Sequence, residues 1–79
     1  MGNVQYFTIY LRGGSVISYC KPYNYFDRGI IEEAIENAED DEIVTIKNGD
    51  GEDLLIPKRN ILFIKIRLEE PDISVKEGL

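Results

Sequence analysis

Histidine is absent from this chain, and cysteine occurs only once, at position 20. Without histidine the chain lacks the side chain that most often moves protons near neutral pH, and no serine, threonine or cysteine lies beside an evident base. A single thiol excludes an internal disulfide, and alone it cannot form the usual Cys and His cluster that holds zinc. The sequence therefore predicts a protein that is not an enzyme and holds no metal or cofactor.

Long apolar stretches are also missing. No run approaches the roughly 20 residues that span a bilayer. The amino terminus, MGNVQYFT, lacks the basic start and the apolar core of a secretory signal. A lone free cysteine is typical of proteins in a reducing compartment. We therefore expect no membrane association and a cytoplasmic location.

Acidic residues, by contrast, are plentiful. Fifteen Asp and Glu residues against nine Lys and Arg give a net charge of −6 over 79 residues. This balance argues against bulk binding to nucleic acid, which needs Lys and Arg to displace counterions from phosphates, although a local basic patch is still compatible with it. So short a chain buries only about 60% of the surface that it exposes when unfolded. The marginal core favours a homo-oligomer.

The spacing of apolar residues predicts five strands and one helix in the order ββαβββ. Strands are expected at residues 5–11, 15–20, 43–47, 53–56 and 61–68, and the helix at residues 27–39 with Asp27 as its N-cap. Gly13-Gly14 is predicted to be a two-residue hairpin turn that places Cys20 opposite Phe7 as a buried residue. The fold class is α+β: a small, mostly antiparallel five-strand sheet or partly open barrel with one packed helix.

The segment from residue 42 to residue 68 reads EIVTIK, NGDG, EDLLI, PKRN and ILFIKIRL. Three successive strands with a one-turn connector before the last resemble the second half of small SH3-like or Sm-like barrels, over about 25 residues, and the resemblance implies architecture alone. The Arg-Gly pair of the last Sm hairpin is absent, and Pro57-Lys58-Arg59-Asn60 stands here instead. The short, acidic, Ile- and Glu-rich composition is also similar to that of uncharacterised proteins of low-GC Gram-positive bacteria and their phages. Residues 1–68 form the predicted domain and residues 69–79 a C-terminal tail.

Two groups of side chains are candidates for binding another molecule. One is an aromatic cluster beside Pro22, of the kind that anchors protein interfaces; it consists of Tyr19, Tyr23, Tyr25 and Phe26. The other is a basic face on the last strand and its connector, where a ring accompanies cations as in single-strand binding; it consists of Lys58, Arg59, Phe63, Lys65 and Arg67. Charges on a strand also serve to protect a sheet edge.

These observations favour a small accessory protein without enzymatic activity that binds another macromolecule, with a protein as the expected partner, and that forms a homo-oligomer. Apolar residues on both faces of the strands and the tyrosine-rich loop motivate this hypothesis. One alternative is a nucleic-acid-binding module that uses the face from Lys58 to Arg67. Another is an oligomer that binds a small ligand at its subunit boundaries.

Overall fold

A computed structural model describes residues 3–69 of the chain. Its elements in order are β1 (Val4–Leu11), β2 (Val16–Pro22), α1 (Asp27–Asn37), β3 (Ile43–Lys47), β4 (Asp53–Pro57), a 3₁₀ helix (Lys58–Asn60) and β5 (Ile61–Glu69). The predicted α+β class and the ββαβββ order are confirmed. The predicted tail lies outside the described residues except for Glu69, which ends β5. No helix within residues 3–69 is long and apolar enough to cross a membrane.

The five strands divide into two antiparallel sheets that do not close into a barrel. One sheet has three strands in the order β2–β1–β5, and the other is the β3–β4 hairpin. In the β1–β5 ladder, Val4 pairs with Glu69 at one end and Leu11 pairs with Ile61 at the other. Strand β1 is therefore the central strand, and the first and last strands of the domain are neighbours.

The hydrophobic core lies between the three-stranded sheet and a second layer formed by α1 and the β3–β4 hairpin. Every second residue along a strand points to the same face, which turns alternate residues of β1, β3 and β4 towards the core. The helix adds one buried side chain from its apolar stripe. The buried apolar residues are Phe7, Ile9, Ile31, Val44, Ile46 and Ile56.

The hairpin between β1 and β2 closes on Leu11 and Ser15, which leaves three residues, 12–14, in its loop rather than the two predicted. Leu11 donates its backbone N–H to the Ser15 carbonyl at 2.9 Å, and this bond closes the loop one residue earlier than expected. Gly13 and Gly14 lie inside it with φ of 92° and 96°. Only glycine adopts such angles without strain, so the Gly-Gly pair was correctly identified as the turn but was placed in the wrong register.

This shift of one residue reverses which residues of β2 face the core. Cys20 pairs with Tyr6 and is exposed, so the prediction of a buried thiol opposite Phe7 is wrong. Tyr19 takes that place and pairs with Phe7. The two rings stack with their centroids 4.9 Å apart and an angle of 12° between their planes.

The connection from β2 to α1 is shorter than predicted. Strand β2 continues through Pro22, which is compatible with a residue that lacks an N–H because β2 is an edge strand. The N-cap of α1 is Phe26 rather than Asp27. The side chain of Asn24 accepts the backbone N–H of Phe26 at 2.9 Å, and Asp27 pairs with Lys21 at 3.4 Å.

Strand β5 contains a bulge near its start. Ile61 pairs with Leu11 and Phe63 pairs with Tyr10, which leaves Leu62 as an extra residue. Ile61 consequently packs against the core, whereas regular alternation predicted it on the same face as Phe63. Beyond the bulge, the residues of β5 that face away from the core are Phe63, Lys65 and Arg67.

Residues 48–51 form the turn between β3 and β4, and this turn lies against β2. The side chain of Asn48 accepts the backbone N–H groups of Asp50 and Glu52, both at 2.9 Å. A Cβ atom added at Gly49 would overlap the backbone carbonyl group of Cys20. Glycine is therefore required at position 49 by the close approach of the two backbones, and not by its own dihedral angles.

Gly49→Ala is expected to destabilise the protein by about 1–3 kcal/mol, the usual cost of forcing an extra carbon into a packed site. Gly29→Ala is the matched control, because Gly29 lies in α1 with open space around it. It is expected to raise stability by up to about 1 kcal/mol through helix propensity. Urea unfolding followed by circular dichroism measures both. Equal stability of the Gly49→Ala variant and the wild type would contradict the close approach.

Candidate functional site

One face of the three-stranded sheet points away from the core, while α1 and the β3–β4 hairpin both pack on the opposite side. We call it the open face. Three strands contribute to it in register, because cross-strand partners share a face. Its residues are Tyr6, Thr8, Tyr10, Val16, Ser18, Cys20, Phe63, Lys65 and Arg67.

Two stacked aromatic rings lie at one end of the open face. Tyr10 and Phe63 are cross-strand partners on β1 and β5. Their ring centroids are 4.4 Å apart, with 16° between the ring planes. The stack leaves Phe63 52% exposed. Stacking with a neighbour fixes the orientation of this ring while half of its surface still meets water.

Two cations lie beside aromatic rings further along the same face. The Arg67 guanidinium is 4.6 Å from the centroid of the Tyr6 ring, and the Lys65 ammonium is 5.8 Å from that of Tyr10. Both distances are within the range of a cation–π contact. Arg67 also forms an ion pair with Glu69 at 3.4 Å. Each of these two tyrosine rings therefore lies beside an exposed cation.

A shallow groove of about 580 Å³ runs along the open face between these side chains. Its walls come from β1, β2 and β5, and its polar lining includes Thr8, Ser18, Lys65 and Arg67. The sequence analysis identified Phe63, Lys65 and Arg67 as members of one surface, but it did not include Tyr6. The signal was available, because Tyr6 shares its face of β1 with Tyr10 at a spacing of four residues.

The charges of the chain are divided between its two layers. Residues 1–26 and 54–68 contain six Lys and Arg and no Asp or Glu, whereas residues 27–53 contain eleven Asp and Glu and two Lys and Arg. The first set includes β1, β2, the 3₁₀ helix and most of β4 and β5, and the second includes α1 and β3. The strands of the three-stranded sheet themselves contain Lys21, Lys65 and Arg67 against one carboxylate, Glu69. The three-stranded sheet is therefore basic within a protein whose net charge is negative.

Two of the predicted basic residues lie away from the open face. The Lys58 side chain donates to the backbone carbonyl of Ala38 at 2.6 Å, where it satisfies the C-terminal end of α1. The backbone N–H of Lys58 donates to Glu42. Arg59 lies in the same 3₁₀ helix, and its backbone carbonyl accepts a hydrogen bond from the Arg12 side chain. Lys58 thus has a structural role, and Arg59 lies at the end of the sheet.

The aromatic cluster predicted from the sequence is split by the fold. Tyr19 faces the core side of the sheet and stacks on Phe7, so it is separated from the other members. Tyr25 and Phe26 are 76% and 68% exposed and meet edge to face, with centroids 5.3 Å apart. Ile30, one turn along α1, is 60% exposed. We call Tyr25, Phe26 and Ile30 the aromatic patch; Tyr23 lies before it and is less exposed.

A third surface feature is a groove of about 390 Å³ between α1 and β5. Its floor is apolar and includes Ile31, Ile35 and Ile64, and Arg28 and Lys58 are among its polar residues. Arg28 pairs with Glu32 at 3.1 Å on the helix surface. The groove lies within one chain, whereas the small ligand considered from the sequence was expected at subunit boundaries. Within residues 3–69 no cluster of His, Cys, Asp or Glu is arranged to hold a metal ion.

Burial, together with the smaller effect of the nearby charge of Asp27, raises the pKa of Tyr19 to about 12. Both causes disfavour the phenolate, and within residues 3–69 the Tyr19 hydroxyl has no hydrogen-bond partner. A group whose pKa is raised on folding stabilises the protein fully below its unfolded pKa. The stabilisation is lost as the pH rises towards the folded value.

The free energy of unfolding is therefore expected to fall between pH 10 and about 12 as Tyr19 ionises in the unfolded chain. Tyr19→Phe should remove this contribution and cost little at neutral pH, because the hydroxyl group is buried without a partner. Urea unfolding at a series of alkaline pH values measures both effects. Tyr25→Phe, at an exposed site, is the control and should keep the wild-type dependence. An unchanged dependence in Tyr19→Phe would contradict the assignment.

Comparison with known proteins found no matching family model, no similar curated protein and no similar solved structure. What the protein does must therefore be inferred from its own residues and their contacts.

Proposed function

We propose that this chain is a small, non-enzymatic accessory protein that works by binding another macromolecule on its open face. The observation that carries the proposal is the stacked pair of Tyr10 and Phe63, with Lys65 beside it, on a surface that no described element covers. Apolar rings surrounded by polar groups on an open surface are typical of interaction sites. Aromatic side chains also supply much of the binding energy in such sites.

The chemistry of the open face supports binding rather than catalysis. It carries a hydroxyl group at Ser18 and a thiol at Cys20. No hydrogen bond joins either side chain to a base in the described part of the chain, and a nucleophile needs such activation. Cys20 is free and exposed. Because exposed thiols persist in reducing compartments, we also propose a cytoplasmic location.

Strand β5 supports a homo-oligomer as the form that binds. It is nine residues long and pairs only with β1, so its other edge carries no backbone hydrogen bond within residues 3–69. Leu62, Phe63 and Leu68 are 52%, 52% and 47% exposed along it. Long apolar edge strands readily pair with another chain, and two copies of one strand pair antiparallel about a two-fold axis. Such a dimer would form one six-stranded sheet with both open faces on the same side.

The aromatic patch is a second candidate surface, and the observation that favours it is its exposure. Tyr25 and Phe26 leave most of their surface in water and lie against each other, so they present rigid apolar area. Glu33 and Glu36 flank the patch on α1. A protein partner with an apolar pocket and a basic rim would complement this surface, in keeping with the general preference for electrostatic complementarity.

Site-specific photocrosslinking in the cells that make the protein separates these two surfaces. A crosslinking phenylalanine analogue at Phe63 is expected to give an adduct with a macromolecule, whereas the same analogue at Leu55 should give none. Leu55 is the control because it is 64% exposed but lies on β4 of the other sheet. An adduct at Phe26 alone would identify the aromatic patch as the binding surface. The absence of an adduct at Phe63 would contradict binding on the open face, and the absence of adducts at both Phe63 and Phe26 would contradict binding of a macromolecule by either surface.

Native mass spectrometry tests the oligomer. The wild type is expected at twice the 9.1 kDa of one chain. Leu62→Lys should shift the population to the monomer, because lysine on an edge strand opposes pairing with a second chain. Leu55→Lys adds the same charge elsewhere and should leave the dimer intact. A wild type that is monomeric at all concentrations, or two variants with the same mass distribution, would contradict pairing along β5.

A further inference from the structure

We infer that the macromolecule bound on the open face is a single-stranded nucleic acid. The inference rests on the proposed function and adds the class of partner. Its first support is charge: the three-stranded sheet contains no carboxylate before Glu69, whereas Lys65 and Arg67 point outward from its face. An acidic macromolecule is therefore attracted to one side of a protein that repels it elsewhere. The net charge of −6 does not reveal this separation of basic and acidic residues.

The second support is the alternation of rings and cations. Tyr10 and Phe63 form a stack, Lys65 lies over Tyr10, and Arg67 lies over Tyr6. Unpaired bases stack on exposed aromatic side chains irrespective of base identity, while neighbouring cations contact the phosphates. A protein ligand would need an apolar surface with acidic side chains at matching positions. A nucleic acid supplies both kinds of group in every nucleotide.

The shape of the open face favours a single strand over a duplex. Sequence in a duplex is read by an element that enters a groove, and the open face is a sheet surface with a shallow trough between its side chains. The bases of a duplex are stacked on each other, so they cannot stack on Phe63. A single strand can lay its bases on the rings and its backbone along Lys65 and Arg67.

The two cations of the open face also predict how binding depends on salt concentration. Each neutralised phosphate of a single strand contributes about −0.7 to the slope of log K against log salt concentration. Lys65 and Arg67 together therefore predict a slope of about −1.4. Arg67 is shared with Glu69, so Lys65 should make the larger contribution. Glu69→Gln should tighten binding by releasing Arg67 to the ligand.

The experiment is fluorescence anisotropy of the full chain with labelled oligonucleotides of about 12 nucleotides, within the range that a single binding surface covers. Oligo-dT and oligo-rU are compared with a duplex of the same length across a series of salt concentrations. We expect both single strands to bind more than tenfold tighter than the duplex. The double variant Lys65→Gln with Arg67→Gln should weaken binding at least tenfold and abolish the salt dependence.

Two further variants separate stacking from charge. Phe63→Leu removes the ring but keeps an apolar side chain, and it should weaken binding severalfold without changing the salt slope. Lys47→Gln is the matched control, because Lys47 is exposed and paired with Asp53 on the β3–β4 hairpin. It should bind like the wild type. Circular dichroism of each variant confirms that the fold persists.

The outcomes distinguish this inference from the function on which it rests. The inference is overturned if no oligonucleotide binds at low salt, or if single strand and duplex bind equally. It is also overturned if Lys47→Gln weakens binding as much as the double variant Lys65→Gln with Arg67→Gln. A nuclease-resistant protein adduct at Phe63 in the crosslinking experiment would then show that the open face binds a protein, which keeps the proposed function. If oligonucleotides do not bind and Phe63 gives no adduct, both fail. A nuclease-sensitive adduct at Phe63 would support both.

Discussion

The pairing of β1 with β5 is the interaction on which the rest of the structure depends. It joins the beginning of the domain to its end, so β1 becomes the central strand of a sheet whose two faces have different chemistry. Burial of Phe7 and Ile9 on one face holds α1 and the β3–β4 hairpin against the sheet. The opposite face of the same strand carries Tyr6 and Tyr10. Period two along one strand thus sets both the core and the open face.

Asymmetry of charge follows from the same arrangement. Residues 27–53, which carry eleven Asp and Glu, form α1 and β3 behind the sheet, whereas the strands of the three-stranded sheet contain no carboxylate before Glu69. Such a distribution orients a charged partner before contact, which affects the rate and the selectivity of association more than the affinity. A protein with this pattern can be acidic as a whole and still present a basic surface. The overall composition therefore does not exclude binding of an acidic partner, because such binding depends on the charge of the local surface.

Much of the fold could be predicted from the sequence, because strand alternation, the apolar stripe of α1 and the turn at residues 48–51 are local signals. The predictions that were wrong depended on shifts of a single residue. The loop at residues 12–14 has one residue more than the simplest hairpin, and this alone moved Cys20 to the surface and Tyr19 to the core. The bulge at Leu62 likewise moved Ile61 inward. Both faces of these strands carry apolar residues, so alternation could not reveal either shift.

Part of the candidate site could also be predicted from strand alternation, which is a local signal. Phe63, Lys65 and Arg67 lie on one regular stretch of β5, and alternation placed them together. Lys58 carries the same charge, but its side chain is used to end α1, a contact between residues twenty positions apart that no local pattern indicates. The aromatic cluster is split because Tyr19 belongs to β2, whereas the other three members lie in the connection between β2 and α1. Proximity in sequence was a poor guide there.

The register of the β1–β5 ladder also has an architectural consequence. Because Val4 pairs with Glu69, the chain enters and leaves this domain at neighbouring points on one corner of the sheet. A domain with adjacent ends can be inserted into a surface loop of another protein, or joined in tandem, without distortion of its core. Both connections to a larger protein would then lie at the same corner of the sheet.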